Sequence, residues 1–420
     1  MRLFAHSGLV LALLLLAAGP VNAAPACRPA ELVTGFGDWS EQDIEITAQA
    51  PVQPVSPRTQ DNMPAVTLRL LMAVSSPGTA PWTLSLYDAL GHLVGMFDKT
   101  AFTGPGATLW TGRLPGPTLT LALTGGDAAT KVVVRGGVAQ KFSTDGTAFS
   151  LKNPPIAEWS TLYPVRDSSG VISGSIPDAV RRTAGDKVGM MIASADFPAG
   201  VVNGVRLQAE RESWCCTGVM IGKDLFLTNW HCGGGIRGRT AWDSDVRAGA
   251  LVDLAWENGP IRRQFSASNI AFKDERLDFA ILRIKPSVGA DGGFGGALPV
   301  AIRPGAPVAG TKLFMIHHAQ CAPKMISSNC TIIKASRAAW TDDPATATDL
   351  PDIEHDCDSE PGASGAAVFD LSGRLVALHH LGHARGPSCP TDAVNKAVGI
   401  GAIMALVRTR DPALATELGW

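Results

Sequence analysis

The first third of the chain alternates between apolar and polar positions with the period of a β-strand. The clearest stretches are VTLRLLMAV (66–74), WTLSLYD (82–88), LTLALTG (119–125) and KVVVRGG (131–137). Glycine and proline separate them, as in Asp88-Ala89-Leu90-Gly91 and Pro115-Gly116-Pro117, and these residues favour turns. Alternating strands joined by short turns are typical of two antiparallel sheets packed face to face. We therefore predict a β-sandwich over residues 24–151, as an accessory or pro-domain without an active site of its own.

The rest of the chain divides into a linker and a second set of strands. Residues 152–184 have the proline, serine and glycine content of a linker, and Arg181-Arg182 is either a processing site or solvated surface. From residue 185 onward, LFLTNW, FAILRI, AAVFDLSG and RLVALHHL again predict strands. Residues 393–410 have helical spacing with basic residues at the end, which predicts a C-terminal helix. The fold class is therefore all-β with a C-terminal helix.

The N-terminus has the pattern of a secretory signal peptide. Arg2 is followed by an apolar run from Leu9 to Ala18, which is too short to span a bilayer, and by the small-x-small site Val21-Asn22-Ala23. We predict that residues 1–23 are removed and that the protein is exported to the extracellular space or the periplasm. No later apolar run reaches about 18 residues, so we expect no stable membrane insertion.

Composition narrows the partners and the chemistry. The 420 residues are 45% hydrophobic and 18% charged with a net charge of −2, so nothing indicates a nucleic acid or an anionic membrane as partner, and we expect a monomer. An even number of cysteines in an exported chain predicts disulfides, and the absence of a C-x₂-C pair disfavours zinc. We expect no metal and no cofactor. The cysteines are Cys27, Cys215, Cys216, Cys232, Cys321, Cys330, Cys357 and Cys389.

Two of these cysteines flank a histidine that follows an apolar strand. His231 ends the stretch CCTGVMIGKDLFLTNWHC (215–232). A lone histidine is more often structural than reactive. A Cys216–Cys232 bridge would, however, close a loop of about 16 residues, contribute on the order of 3 kcal/mol, and fix the turn that contains the imidazole.

An acid and a serine complete a candidate triad. Asp278 immediately precedes the apolar strand in ERLDFAILRI (275–284), where it could cap a turn or accept the N–H of an imidazole. Ser364 lies in CDSEPGASGAAVF (357–369), whose small residues leave backbone N–H groups uncovered. The order His, Asp, Ser excludes an α/β-hydrolase, which needs Ser, Asp, His and a G-x-S-x-G motif, because Ala366 breaks that motif.

Residues 210–410 resemble a trypsin-like serine endopeptidase of the chymotrypsin clan, nearest to the bacterial lysyl and glutamyl endopeptidases. Four motifs in the family's order support this resemblance: LTNWHC, LDFAILRI, FMIHHAQCAPKMIS and SEPGASGAAVF. The resemblance implies two six-stranded β-barrels over residues 185–420, with the site between them. It implies His231 as general base, Asp278 as its orienting partner, Ser364 as nucleophile, and the N–H groups of Gly362 and Ser364 as the oxyanion hole.

One position departs from the digestive relatives of this family. Those enzymes have an aspartate just before the serine, which pairs with a freed N-terminal ammonium, and this chain has Ala363 there. A buried ammonium without a partner is very costly, so activation cannot use that ion pair. We hypothesise that the N-terminal domain instead aids folding or covers the cleft.

Specificity and the remaining disulfides follow less directly. Asp358 lies six residues before Ser364, where trypsin has its pocket-floor carboxylate, and an inward orientation would favour Lys or Arg before the scissile bond. His379 lies where glutamyl endopeptidases have a histidine for an acidic side chain, which leaves acidic specificity as the alternative. Cys215 and Cys216 are adjacent on a strand and should have different partners. The expected further pairs are Cys321–Cys330, Cys357–Cys389 and Cys27–Cys215.

The sequence thus predicts a secreted serine endopeptidase that acts on proteins or peptides through an acyl-enzyme. The alternative is a protease-like binding or adhesion protein without activity. Such proteins usually lack a member of the triad, whereas this chain has all three residues.

Overall fold

The computed structural model describes residues 34–104, 106–140, 157–158, 176–197, 199–202, 205–234, 242–255, 263–287, 299–305, 308–337, 351–382 and 395–420. The predicted signal peptide (1–23), Cys27 and Cys389 lie outside these residues. Within the described ranges, no helix combines the length and the apolar composition needed to cross a membrane.

The N-terminal region folds into two antiparallel sheets. One sheet has the order β2-β10-β4-β7 with β8 on β4, and the other has the order β3-β9-β5-β6. The strands of these two sheets are β2 (Asp38–Thr47), β3 (Val52–Val55), β4 (Thr67–Ser76), β5 (Trp82–Tyr87), β6 (Leu93–Phe97), β7 (Thr108–Trp110), β8 (Leu114–Pro115), β9 (Leu119–Gly125) and β10 (Lys131–Gln140), and a short strand β1 (Thr34–Gly35) precedes them.

The two sheets share one apolar core, which is the predicted β-sandwich. Alternate residues of β5 and β9 are buried, so the period of two in the sequence places Leu84, Leu86 and Leu121 on the inner face. They pack against Leu70 and Val132 of the facing sheet. The four strands expected in this region are all present.

The next part of the chain forms a first closed barrel. Its strands follow the order β15-β12-β17-β18-β19-β16, and β15 pairs with β16 to close the six-stranded ring. The strands from β11 onward are β11 (Ala157–Glu158), β12 (Val188–Phe197), β13 (Gly200–Val202), β14 (Val205–Leu207), β15 (Glu210–Met220), β16 (Leu225–Thr228), β17 (Leu251–Asp253), β18 (Gln264–Asp274) and β19 (Phe279–Pro286).

A second six-stranded barrel follows, as predicted. Its order is β21-β20-β23-β24-β25-β22, closed by the pairing of β21 with β22. The strands are β20 (Lys312–His317), β21 (Met325–Arg337), β22 (Pro351–His355), β23 (Ala367–Asp370), β24 (Leu375–Leu381) and β25 (Asn395–Gly399). Strand β1 adds to the first barrel beside β15, and β11 adds to the second beside β21.

Four short helices are described, and two of them correct the sequence analysis. They are α1 (Asp178–Gly185), α2 (Ser244–Gly249), α3 (Ile400–Arg410) and α4 (Pro412–Leu418). The expected helix over 393–410 is shorter at its start, because residues 395–399 pair as β25 with β24 and β22. The expected linker over 152–184 ends earlier than predicted, since Ile176 and Ala184 are buried in the core shared by both barrels. Arg181 is also buried, so it is not a solvated residue open to processing.

The disulfides differ from most of the expected pairs. Cys216 bonds to Cys232 as predicted, and Cys215 has a different partner from Cys216. That partner is Cys321 rather than Cys27, because β15 lies against the turn after β20. Cys330 bonds to Cys357, which corrects the expected Cys321–Cys330 and Cys357–Cys389 pairs. The pairing of β21 with β22 brings Cys330, within β21, and Cys357, two residues after β22, to a Cα–Cα distance of 4.8 Å.

Buried polar contacts fix the sandwich to the first barrel. The guanidinium of Arg69 in β4 donates to Ser194 Oγ at 3.0 Å and to Gly249 O at 3.1 Å. Arg113 Nε donates to Asp253 Oδ2 at 2.9 Å, and the Asp253 side chain is fully buried. Because a buried charge without a partner is costly, this interface would be unfavourable to open.

Candidate active site

The sequence places His231 and Asp278 in hydrogen-bond contact within the first barrel. His231 begins a short 3-10 turn after β16, and the Cys216–Cys232 bond closes the loop that contains it. His231 Nδ1 lies 2.7 Å from Asp278 Oδ2, and the His231 backbone N–H donates to Asp278 Oδ1 at 3.0 Å. Both oxygens of the Asp278 carboxylate therefore bind His231, and together they fix the plane of its imidazole ring.

Asp278 is held in an unusual backbone conformation between β18 and β19. Its φ is 50°, a left-handed value that costs a non-glycine residue of order 1–3 kcal/mol and is concentrated at functional sites. Asn229 Nδ2 donates to Asp278 O at 2.8 Å and so supports that conformation. Burial alone would raise the pKa of Asp278, but attraction to His231 and contacts with His231 and His380 outweigh it and lower the pKa to about 2. The carboxylate is therefore ionised at neutral pH.

A second histidine contacts the same carboxylate, and the sequence analysis did not assign it this role. His380 Nδ1 lies 3.4 Å from Asp278 Oδ2, an ion-pair distance, and His380 Nε2 lies 3.2 Å from Asp352 Oδ2. Burial opposes charging of His380, but its contacts with Asp278 and Asp352 raise its pKa to about 9. The sequence signal for this role was the adjacent pair His379-His380. Neighbouring residues of a strand face opposite sides, so the two histidines have different surroundings.

Ser364 lies on a tight loop before β23 that requires glycine on both sides. Gly362 and Gly365 have φ values of 96° and 84°, in the region that favours glycine. The N–H of Ala363 donates to Glu360 O and that of Gly365 to His379 O, each at 2.9 Å. The N–H groups that we expect to form the oxyanion hole, those of Gly362 and Ser364, alternate with these two.

Thr217 of the first barrel joins the serine loop to the histidine side. Its backbone N–H donates to Ser364 O at 2.8 Å, and its Oγ1 donates to Gly362 O at 2.9 Å. Cys232, next to His231, has its Sγ 3.9 Å from Ser364 O. These contacts place the backbone of the serine loop beside the segment of the first barrel that contains His231.

Of the two hydrogen bonds of the predicted triad, the described structure forms the one between His231 and Asp278. His231 Nε2 is buried and makes no hydrogen bond with any described residue, so the bond to the serine hydroxyl is not formed here. Hydrogen bonds of this kind are often long in the absence of substrate and tighten when it binds. The assignment of Ser364 as nucleophile stays a prediction.

The two candidate specificity residues have different surroundings. Asp358 is nearly buried, and its backbone N–H donates to Ser327 Oγ at 2.8 Å. His379 is buried, and its Nδ1 lies 3.2 Å from His355 Nε2. Burial lowers the pKa of His379 well below its usual value, so this histidine is neutral. A neutral imidazole that already contacts another side chain is a weak partner for an acidic substrate.

The same region contains the one group of three potential metal ligands found among the described residues. It comprises Cys216, His231 and Cys232, whose ligand atoms lie within 4.8 Å of one another. The two sulfurs are bonded to each other, so neither is a thiolate that could bind a metal ion.

One protein-family model matches part of this chain. The family model of the trypsin-like peptidase domain matches residues 216–378. This range contains His231, Asp278 and Ser364, but it is less than half of the chain. Among curated protein sequences, none matches this chain significantly.

Solved structures with a similar fold are proteases of low identity. The active form of the Rv3671c protease from M. tuberculosis is 16% identical with a TM-score of 0.39, over 56% of this chain and 90% of that one. The HtrA-type protease AlgW, solved with a decapeptide, is 16% identical with a TM-score of 0.38, over 55% and 66%. The serine endoprotease from Yersinia pestis is 16% identical with a TM-score of 0.37, over 58% and 69%. These values are low, so only the family model bears on function.

Proposed function

We propose that this chain, a serine endopeptidase with a trypsin-like peptidase domain at residues 216–378, cleaves peptide bonds through a triad of His231, Asp278 and Ser364. The observation that carries the proposal is the two-point contact between His231 and Asp278. The ring nitrogen and the backbone N–H of one histidine reach the two oxygens of one buried, ionised carboxylate. A structural histidine does not require this arrangement, whereas a general base with a fixed tautomer does.

The reaction would proceed by acyl transfer. With its Nδ1–H donated to Asp278, His231 has Nε2 as the proton acceptor. Nε2 takes the proton of Ser364 Oγ as that oxygen attacks the peptide carbonyl carbon. The N–H groups of Gly362 and Ser364 stabilise the resulting oxyanion, and losing one such donor typically costs about 2.7–4 kcal/mol in the barrier.

The intermediate then collapses and the enzyme is regenerated. The C–N bond breaks, Nε2–H protonates the leaving amine, and the acyl group stays on Ser364 Oγ. A water molecule next gives a proton to Nε2 and attacks the ester carbonyl. The second collapse breaks the C–Oγ bond, returns the proton to Oγ, and releases the carboxylic acid product.

We also propose a preference for Lys or Arg before the scissile bond. Asp358 supplies an acid on the segment that leads to the serine, whereas His379 is neutral and already contacts His355. A carboxylate in a pocket wall favours a cationic side chain. Cleavage of a peptide library should give products that end in Lys or Arg, and products that end in Glu or Asp would favour the acidic alternative.

Export is part of the proposal as well. Three disulfides lie within the described residues, and such bonds persist in oxidising compartments. This agrees with the signal peptide predicted over residues 1–23.

Covalent labelling tests the reaction class directly. A fluorophosphonate probe should label the full-length protein, because it phosphonylates only a serine that is activated by a base. Ser364→Ala should abolish labelling and peptide cleavage together.

Ser372→Ala is the matched control. Ser372 is an exposed serine in the turn between β23 and β24, so this variant should label like the unmodified protein. Failure of the unmodified protein to label and to cleave any peptide would instead support the binding or adhesion alternative.

A further inference from the structure

A strained turn lies between the N-terminal region and the serine loop. The turn, residues 318–322, connects β20 to β21, and we call it the bridging turn. Two successive residues in it, Gln320 and Cys321, have φ values of 55° and 54°. Left-handed conformations at two successive non-glycine residues are unfavourable, so the surrounding contacts must hold them.

One side of the bridging turn supports the serine loop. The Gln320 backbone N–H donates to Pro361 O at 2.7 Å, and its Nε2 donates to Glu360 Oε2 at 3.2 Å. A methyl group at Gly362 would lie 2.9 Å from His318 O and 3.1 Å from Gln320 N. The turn therefore packs directly against the residue whose N–H we assign to the oxyanion hole.

The other side of the bridging turn contacts the N-terminal region. Thr34 of β1 donates through Oγ1 to Gln320 Oε1 at 3.4 Å, and its Cγ2 lies 3.2 Å from the position a Gly362 methyl would occupy. Gln140, the last residue of β10, donates through Nε2 to Cys321 O at 3.3 Å. Cys321 is bonded to Cys215, which pairs with Thr34 across the β1–β15 ladder.

Apolar packing completes this connection. Phe36 and Val138 of the N-terminal region share one buried cluster with Cys215 and Cys321. Three contacts on the N-terminal side thus set the position of the bridging turn. They are the pairing of β1 with β15, the Cys215–Cys321 bond that joins β15 to the turn, and the apolar cluster. The position of the serine loop is set in turn by the bridging turn.

We propose that the N-terminal β-sandwich and β1 position the oxyanion hole through the bridging turn, with Gln320 and Thr34 as positioning residues. This inference rests on the proposed function. It assigns the N-terminal region a lasting role in the folded enzyme, which is to hold the serine loop in place. A buried ion pair beside the serine cannot hold that loop here, because residue 363 is alanine. The oxyanion forms only after attack on the carbonyl, so the effect belongs to the transition state rather than to substrate binding.

The test compares steady-state kinetics of full-length variants. Thr34→Ala/Gln320→Ala removes the Thr34–Gln320 contact on one side of the turn and the Gln320–Glu360 contact on the other. We expect kcat to fall about fivefold or more, the effect of losing roughly one hydrogen bond, with KM changed less than twofold. A peptide aldehyde, whose tetrahedral adduct uses the oxyanion hole, should bind more weakly by the same factor as kcat/KM falls.

Arg69→Met is the matched control, because Arg69 fixes the same sandwich to the first barrel at Ser194 and Gly249, away from the bridging turn. It should lower the Tm while kcat, KM and aldehyde affinity stay unchanged. An equal loss of kcat in Arg69→Met would show that the effect does not pass specifically through the bridging turn, and it would overturn the assignment of Gln320 and Thr34 as positioning residues.

Two further outcomes are decisive. Unchanged kcat and aldehyde affinity in the double variant would also overturn the proposal, while normal fluorophosphonate labelling of the unmodified protein would leave the proposed function intact. If the double variant does not fold, Gln320→Ala alone decides the question by the same three readouts, since the Gln320 side chain is exposed.

Discussion

The two barrels hold their parts of the candidate site in different ways. In the first barrel, His231 and Asp278 contact each other directly, and the Cys216–Cys232 bond closes the loop that contains the histidine. In the second barrel, the loop around Ser364 is held by that barrel's own backbone and, in addition, by Thr217 of the first barrel. His231 and Asp278 are thus fixed mainly by groups of their own barrel, whereas the serine loop is fixed in part by packing between the two barrels.

The largest expected effect lies on the first-barrel side. Asp278→Asn should lower kcat about 10⁴-fold, because the amide would donate to His231 Nδ1 and favour the wrong tautomer. The fold should be retained, since the amide has nearly the same shape. Hydrolysis of a chromogenic peptide, with circular dichroism as a check of folding, would measure both effects.

Asp274→Asn is the control for that variant, because Asp274 lies four residues earlier and bonds Leu277 N and Arg410 instead. Its kcat should stay within a fewfold of the unmodified value. A kcat for Asp278→Asn within tenfold of the unmodified enzyme would remove Asp278 from the triad.

The contrast between barrels also explains what the sequence could predict. The alternation of apolar and polar residues predicted the sandwich strands, because a half-buried strand has a period of two. The Cys216–Cys232 bond was predictable, because both cysteines lie within 16 residues of each other around one histidine. The first-barrel part of the site is therefore local enough to be inferred from motifs.

Contacts between distant segments were not predictable in the same way. The Cys215–Cys321 bond spans 106 residues and depends on how the two barrels pack, which no short motif encodes. The contact between His380 and Asp278 likewise depends on β24 reaching the first barrel, with His380 held on its other side by Asp352 of β22. The helix expected from residue 393 begins at 400, because pairing with two neighbouring strands overrides helical spacing in a short segment.

An intermediate effect is expected where the barrels meet. Thr217 Oγ1 donates to Gly362 O and accepts from His318 N, each at 2.9 Å. Thr217→Val keeps the shape but leaves two buried polar groups without partners, at about 1–3 kcal/mol each. We expect a lower free energy of unfolding and a kcat lowered about tenfold, the latter equivalent to about 1.4 kcal/mol.

Thr111→Val provides a matched comparison in the sandwich. Thr111 Oγ1 donates to Gly112 O at 2.8 Å and accepts from Leu70 N at 2.9 Å, so the same two kinds of bond are lost. Urea unfolding should show similar destabilisation, while kcat should change only in Thr217→Val. Equal kcat values in the two variants would mean that the serine loop does not depend on its contact with the first barrel.

The smallest expected effect is a pH dependence that comes from His380, which contacts the same oxygen of Asp278 as His231 does. Contacts with Asp278 and Asp352 raise the pKa of His380 from 6.5 to about 9, against the effect of burial. A group with a raised pKa in the folded state stabilises that state fully below its ordinary pKa and loses this effect as the pH rises through the raised value. The stability of the enzyme should therefore fall between about pH 6.5 and pH 9, and kcat should fall by a fewfold as the pH passes about 9 and His380 in the folded enzyme loses its proton.

His380→Gln should remove this alkaline decline, because glutamine can bond a carboxylate but does not titrate. The neighbouring His355 is the control: burial lowers its pKa to about 4, so it is neutral near pH 9 and His355→Gln should keep the decline. Rate measurements from pH 7 to 10 on the three proteins would test this assignment, and an unchanged decline in His380→Gln would disprove it. If the decline does belong to His380, then the carboxylate of Asp278 in the first barrel is also held by a residue of the second barrel. The two barrels would then differ only in how far each depends on the other to hold its part of the site.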